Sequence, residues 1–378
     1  MSVQKFCWCY TSMHLRNLRI TTFMMTAICA GTALAAEDFR VRYNLAGTMG
    51  GEIFAPQYSS GWIGALAYTY IDGRKLTGDD GQDMTITAPG GTVALPAPAP
   101  AGLYPTYDAK RVALQASGHA QVAALALGYV TADLYNGGQF IFGALLPIAE
   151  SASGILPMAS SPSLNWPNPG QPNDATKATV QNGFEAGYQA GLAAQAAGEG
   201  GQAAGIGDIE LAAGWMSGHG PWKFRAGAAV VMPTGKYSAS SKPNIGFGNY
   251  YTLRPEVQAT YMPSAKIAMS GKLILGFNTK NKDNQLKSGD WYGLETAAGY
   301  LTPMGPVGLH GVYVKQYQDD ENNPMFGANR LELTGVGTFF TTKLPILDAI
   351  VTLQHMVTTS SRNARHSNFS QLRFVRQF

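Results

Sequence analysis

From residue 61 to the end of the chain, apolar and polar residues alternate with a period of two over stretches of about a dozen residues. Each stretch ends in a break rich in Gly, Pro, Asn or Asp, and about twelve of them follow one another. The sixth is the clearest: Tyr251, Leu253, Val257, Ala259 and Tyr261 share one face, and Thr252, Arg254, Glu256, Gln258 and Thr260 the other. The fifth sets Trp222, Phe224, Ala226, Ala228, Val230 and Met232 against Lys223 and Arg225, and the seventh sets Ile267, Met269, Leu273, Leu275 and Phe277 against Lys266, Ser270, Lys272 and Asn278. In the tenth, Leu331, Leu333 and Phe339 oppose Arg330, Glu332, Thr334 and Thr338; in the eleventh, Leu347, Ala349, Val351 and Leu353 oppose Asp348, Thr352 and Gln354. The ninth, 307–319, is ambiguous, and Pro255 forfeits one ladder hydrogen bond inside the sixth.

The breaks alternate in length. Short ones fall at 131–138, 218–221, 263–265, 302–306 and 343–345, and long ones at 73–110, 150–205, 234–248, 279–289, 319–328 and 360–366. Short turns at one end, long loops at the other and an even strand number predict an all-β fold: a transmembrane antiparallel up-and-down β-barrel of about 12 strands. Stretches of this length exceed the 5 to 6 residues usual for strands of soluble sheets, roughly, and match what a tilted membrane strand needs. A soluble sandwich or propeller is the competing fold. Aromatic residues near the stretch ends (Trp62, Tyr68, Tyr70, Trp222, Tyr237, Tyr250, Tyr251, Tyr261, Trp291 and Tyr300) predict girdles at the lipid interfaces.

Composition adds three constraints. Only 13% of residues are charged against about 25% in ordinary soluble domains. Residues 1–36 hold Lys5, Arg16 and Arg19, no acidic residue, an apolar run from Ile20 to Gly31 and then Ala33, Leu34, Ala35 and Ala36, the pattern of a secretory leader; Met13 would start it equally well. Those three cations are the whole of the +3 net charge, so the remainder is neutral and nothing points to a nucleic-acid partner. Cys7, Cys9 and Cys29 lie in the same segment, which leaves the exported chain without disulfides, zinc thiolates or a cysteine nucleophile. The expected organisation is a leader at 1–36, an N-terminal segment at 37–60 and the barrel at 61–378.

One set of residues carries a family resemblance: Gly205, Ile206, Gly207 and Asp208; Trp215 and Trp222; Pro233, Thr234, Gly235, Lys236 and Tyr237; and Asn244, Ile245 and Gly246. The chain resembles, over 61–378 and best over 205–300, the outer-membrane transporter-like family named for the meta-pathway of phenol degradation, a relative of the long-chain fatty acid channels. The resemblance implies a barrel that admits hydrophobic, often aromatic, compounds without energy input. On local chemistry, Pro233 and Gly235 first of all end a strand. The last strand carries Leu372, Phe374 and Phe378, and its terminal Phe resembles the signature read by the barrel assembly machinery, with Arg376 a departure from it.

Candidate positions follow. The alternating faces predict lumen charges at Lys223, Arg225, Arg254, Glu256, Lys272, Arg330, Glu332, Asp348 and Arg373, with Arg111, Lys266, Asp208, Glu210 and Glu295 beside them. Their signs nearly balance, which predicts cross-strand pairing rather than a selective ring. Residues 37–60 show no alternation; they either fold into the lumen as a plug, with Phe54 and Tyr58 against a ligand, or stay a periplasmic tail. Residues 176–197 favour helix, with Phe184, Tyr188 and Leu192 on one face after Trp166 and a Pro-rich stretch, and these four are candidate mouth contacts for a hydrophobic ligand. No catalytic, metal or cofactor site is expected: Ser117 and His119 share a strand face without an orienting third group, and His219, His310 and His355 lack ligand spacing. Expected partners are outer-membrane lipid and lipopolysaccharide, the assembly machinery and a small hydrophobic ligand, with the barrel a monomer. A general diffusion porin and a structural or adhesive barrel are the rival functions.

Overall fold

The computed structural model describes residues 40–378 apart from 45, 56–58, 133, 169, 171, 199, 241–242 and 324–329; the leader and Tyr58 lie outside the described residues. Two compact units are present among the described residues, one including 40–86, 112–158 and 192–378, the other including 87–111 and 159–191.

The first unit is the barrel. Its strands are β1 (Gly61–Thr77), β2 (Lys110–Val130), β3 (Gly138–Met158), β4 (Glu210–His219), β5 (Trp222–Val231), β6 (Thr252–Ser264), β7 (Ile267–Asn278), β8 (Trp291–Thr302), β9 (Gly305–Gln316), β10 (Glu332–Leu344), β11 (Ala349–Arg362) and β12 (Ala364–Gln377). Each pairs antiparallel with the next. The seam is β1 on β12, from Ile63 opposite Gln377 to Thr77 opposite Ala364, so the twelve strands close into a barrel. Across Pro255 the register of β6 on β7 is unchanged, with Arg254 and Pro255 the unbridged positions.

The wall is uneven in height. β2 and β3 run 21 residues each, whereas β4 and β5 have 10. The loop-end half of β3 pairs instead with residues Gly201–Ile206, and the handover falls at Pro147, whose carbonyl accepts the Gly207 amide at 2.8 Å. The expected long break at 360–366 is absent. Asn363 alone, at φ 47°, joins β11 to β12, and the polar residues around it that read as a loop are strand, paired with β10 before the turn and with β1 after it.

Outward positions are apolar, as lipid requires: Trp62, Leu66, Leu125, Leu127, Phe142, Trp222, Phe224, Leu253 and Val257 are all exposed. Trp291 and Tyr250 do not join the girdles; both are buried, Trp291 at 0% exposure. The second unit holds a ribbon of Gly91–Thr92 on Thr106–Tyr107 and most of helix α1 (Asp174–Gly198), close to the predicted 176–197. Asn173 caps α1 through its side-chain oxygen, which accepts the Thr176 amide at 2.9 Å.

Candidate functional site

Residues 40–55 lie inside the barrel and run its length. Arg42 sits beside Thr252, the first residue of β6, and Tyr43 stands edge-on to Trp291 at the start of β8, with ring centroids 5.5 Å apart. Farther along, Thr48 meets Lys272 and Glu295 in mid-wall. Met49 and Ile53 pack on Ala268, Ala297 and Phe339 near the short turns, and Gln377 bonds Ser59 just before β1 begins. The segment therefore descends from the long-loop end to the short-turn end.

Three ionic ties fix it. Arg42 pairs with Asp208 at 2.8 Å, both side chains almost fully buried, and stacks over the Tyr250 ring at 3.9 Å. Glu295 accepts the Tyr43 hydroxyl at 2.6 Å and the Thr48 amide and hydroxyl at 2.9 Å each, and pairs with Lys272 at 3.1 Å. Arg373 pairs with Glu52 at 2.8 Å, while Thr352 donates to the same carboxylate. Neutral ties add to these: Gln354 donates to the Ala46 and Gly47 carbonyls at 2.6 and 3.0 Å, and Thr341 accepts the Gly51 amide at 3.0 Å. The apolar side chains Val41 and Tyr43 pack on Val312, Val314, Leu331, Leu333 and Met356. Each such burial is worth roughly 1.5–3 kcal/mol. Gly51 is required where the segment crosses β10, because a Cβ there would lie 2.3 Å from the Thr341 side chain.

The motif residues that carry the family resemblance build the upper anchor. Asp208 accepts the amides of Gly235 and Phe247 at 2.9 and 3.0 Å, and Thr234 accepts the Ile209 amide at 2.8 Å. Gly235 and Gly246 touch backbone to backbone; a Cβ on Gly235 would come within 2.7 Å of Gly246 Cα. The knot so formed presents the Asn244 carbonyl to Arg40 at 3.2 Å and the Gly248 carbonyl to Arg42 at 3.0 Å.

The plug is held by residues from β5 to β12, Lys223 and Arg373 among them. Beside it lies a cavity of about 770 Å3, within the size range of ligand pockets. Its wall on β1, β2 and β3 is small and mostly apolar: Ala65, Ala67, Ala120, Val122, Ala124, Ala126 and Ala149. A cluster of Ile63, Val130 and Met216 with Ile141 and Val375, drawn from these strands and their neighbours β4 and β12, lies toward the turn end. Another, of Leu76, Met84, Leu114, Ala116 and Ile155, lies toward the loop end.

Lys223, Arg225, Arg254, Glu256, Lys272 and Arg373 line this cavity. Three expected lumen charges stand elsewhere. Arg330 is half exposed in a loop on Asp319, Asp348 is exposed in the β10–β11 turn on Lys343, and Glu332 faces outward with Lys315 and Tyr313. On β10 the inward face is the apolar one, Leu333 and Phe339, because it meets the plug rather than water. The cavity is consequently not balanced: eight Lys and Arg line it against four Asp and Glu, two of the cations being Arg40 and Arg42 of the plug. Sequence reasoning does not single out Arg42 or Tyr43, whose partners lie 166 and 252 residues further on.

Phe54 packs beside Met49 and Ile53. Phe184, Tyr188 and Leu192 are buried, Trp166 is half-buried, and the Phe184 ring packs tilted on Tyr107 of the ribbon with centroids 4.8 Å apart. Burial raises the Tyr188 phenol above its usual range. Phe184 thus packs on Tyr107 within its own unit. Among the described residues, no three His, Cys, Asp or Glu are grouped to hold a metal.

A closed twelve-stranded barrel, greasy outside and with its own N-terminal segment bolted into the lumen, has the architecture of an outer-membrane channel. Residues 104–374 match the family described as putative MetA-pathway of phenol degradation, and the chain belongs to that family. Among solved structures, an outer membrane channel of Pseudomonas putida F1 is similar at TM-score 0.62 and 14% identity, over 88% of this chain and 100% of that one. The β-domain of the Bordetella autotransporter BrkA gives TM-score 0.40 at 9% identity over 85% and 100%, and the monoaromatic hydrocarbon channel CymD 0.37 at 10% over 89% and 95%. No curated relative matches the chain.

Proposed function

We propose that this protein sits in the outer membrane of a Gram-negative bacterium and lets small hydrophobic or aromatic compounds through passively, along the side of the lumen that the plug leaves open. The observation that carries this is the apolar wall of β1–β3 facing a cavity large enough for a ring, beside a plug tied to the opposite strands. The plug acts as a fixed partition rather than a cork. Its ion pairs and apolar contacts are too many to release for each passing molecule, whereas the cavity beside it is already open space. Compounds enter from the long-loop end, slide along the alanine face past the apolar clusters at each end and leave near the short turns. Apolar lining favours rings over sugars, since a sugar would give up its water without replacement hydrogen bonds.

Paired uptake tests this. Cells with and without the protein are given a labelled aromatic hydrocarbon and a labelled small sugar. Faster entry of the aromatic alone is expected; equal acceleration of the sugar would mean a general diffusion pore instead.

A further inference from the structure

We infer that Met216, with Ile63, Val130, Ile141 and Val375, forms a dry exit filter under the open side of the lumen, which passes rings and stops hydrated solutes. The inference deepens the uptake proposal above and rests on it.

The five residues come from five strands that follow one another around the barrel, β12, β1, β2, β3 and β4, and they pack as one cluster. None belongs to residues 40–55, so here wall closes on wall. Met216 and Val375 line the cavity, whereas Ile63, Val130 and Ile141 do not, so the open space ends on this cluster. Met216 is 5% exposed and Val130 0%, which leaves no water-filled gap beside either. Every side chain in the cluster lacks a hydrogen-bonding N or O.

The rest of the turn end is closed by the plug. Ile53 and Phe54 pack on residues of β6, β7, β8 and β10, Lys223 on β5 donates to the Ile53 carbonyl at 3.2 Å, and Arg373 on β12 pairs with Glu52. Opening a path there means moving the plug and breaking those ties. The cluster opens by rotation of side chains alone, a motion of picoseconds to nanoseconds where a side chain is free to turn.

A hydrated ion or a sugar pays to cross such a place, because it sheds water and finds no replacement hydrogen bond; apolar constrictions close pores to ions by dewetting. A ring leaving the alanine wall merely exchanges one apolar surface for another. Met216 is the moving part. Its unbranched side chain turns about three bonds, while the Ile and Val around it are stiff at their first torsion, and its sulfur makes favourable contact with an aromatic edge.

Conductance in planar bilayers and the paired uptake of aromatic and sugar, both on the full-length protein, test the filter. Met216→Ser removes the moving side chain and supplies a hydroxyl, and should raise potassium chloride conductance several-fold and admit the sugar. Val130→Thr keeps the shape and adds a hydroxyl to hold water, and should move both readouts the same way by less. Heat-modifiable gel mobility checks the folding of each, so the second variant decides if the first does not assemble. Residues 40–55 should stay as protected from protease as in the parent, which separates an opened filter from a loosened plug. Parent-level conductance and sugar exclusion in the folded variants, or gains that come with cuts in 40–55, overturn the inference and leave aromatic uptake standing. A parent that does not favour the aromatic over the sugar overturns the uptake proposal itself, and the inference with it.

Discussion

Lys272 and Glu295 stand directly opposite each other on β7 and β8, and the carboxylate that neutralises the lysine also holds Tyr43 and Thr48 of the plug. One buried ion pair thus serves wall and plug at once. Replacing Glu295 with Gln leaves Lys272 buried without a counter-charge and should destabilise the protein by about 3–5 kcal/mol. Lys272→Met added to Glu295→Gln should recover most of that loss. The temperature at which the compact gel band converts to the unfolded one, compared across the two variants, measures it.

Gly51→Val places side-chain atoms where Thr341 already is, and should drive the plug off β10 while β10 keeps its ladder to β9 and β11. The expected outcome is a several-fold rise in basal ion conductance and new protease cuts within 40–55. Thr341→Gly in the same chain should reverse both. Unchanged conductance would mean that the plug does not limit the passage of ions.

Ala67 on β1 and Ala124 on β2 are directly paired and both line the cavity. Ala124→Trp fills open space rather than core, so the barrel should fold normally while aromatic uptake falls several-fold. Sugar entry should stay at background. If uptake is unaffected, compounds do not pass along this wall.

Phe184 anchors α1 on Tyr107, and Phe184→Ala should weaken that packing by about 3 kcal/mol. Limited proteolysis reads this directly: cuts within 159–191 should appear at protease levels that leave the parent intact, with the barrel band unchanged.

Much of the barrel is legible in the sequence because lipid imposes one rule on every strand, apolar residues outward, and β5, β6 and β7 follow it plainly. Legibility fails where the inside is not water. Leu331 just before β10, and Leu333 and Phe339 on it, look like the lipid face but pack on the plug, and Trp291 looks like a girdle residue for the same reason. Alternation reports which face differs from its neighbour, not which is inside. Asp348 fails differently: it continues the polar phase of its stretch by parity, yet it falls in the turn, in a left-handed conformation. The plug's contacts were beyond reach because residues 40–55 have no periodicity of their own; their conformation is dictated by partners more distant in the chain than any local pattern extends. The motif of Asp208, Gly235 and Gly246 was visible as a set, but its purpose becomes clear only when Arg42 is found seated in it.

The descent of residues 40–55 through the lumen has a bearing on how the molecule is made. Glu295, Thr341, Gln354 and Arg373, which receive the segment, belong to β8, β10, β11 and β12, synthesised well over two hundred residues after it. The seam that shuts the cylinder joins β12 to β1, whose neighbour in sequence is the segment itself. The earliest part of the chain therefore waits for the latest to give it a seat, and assembly cannot be a simple march from one terminus to the other.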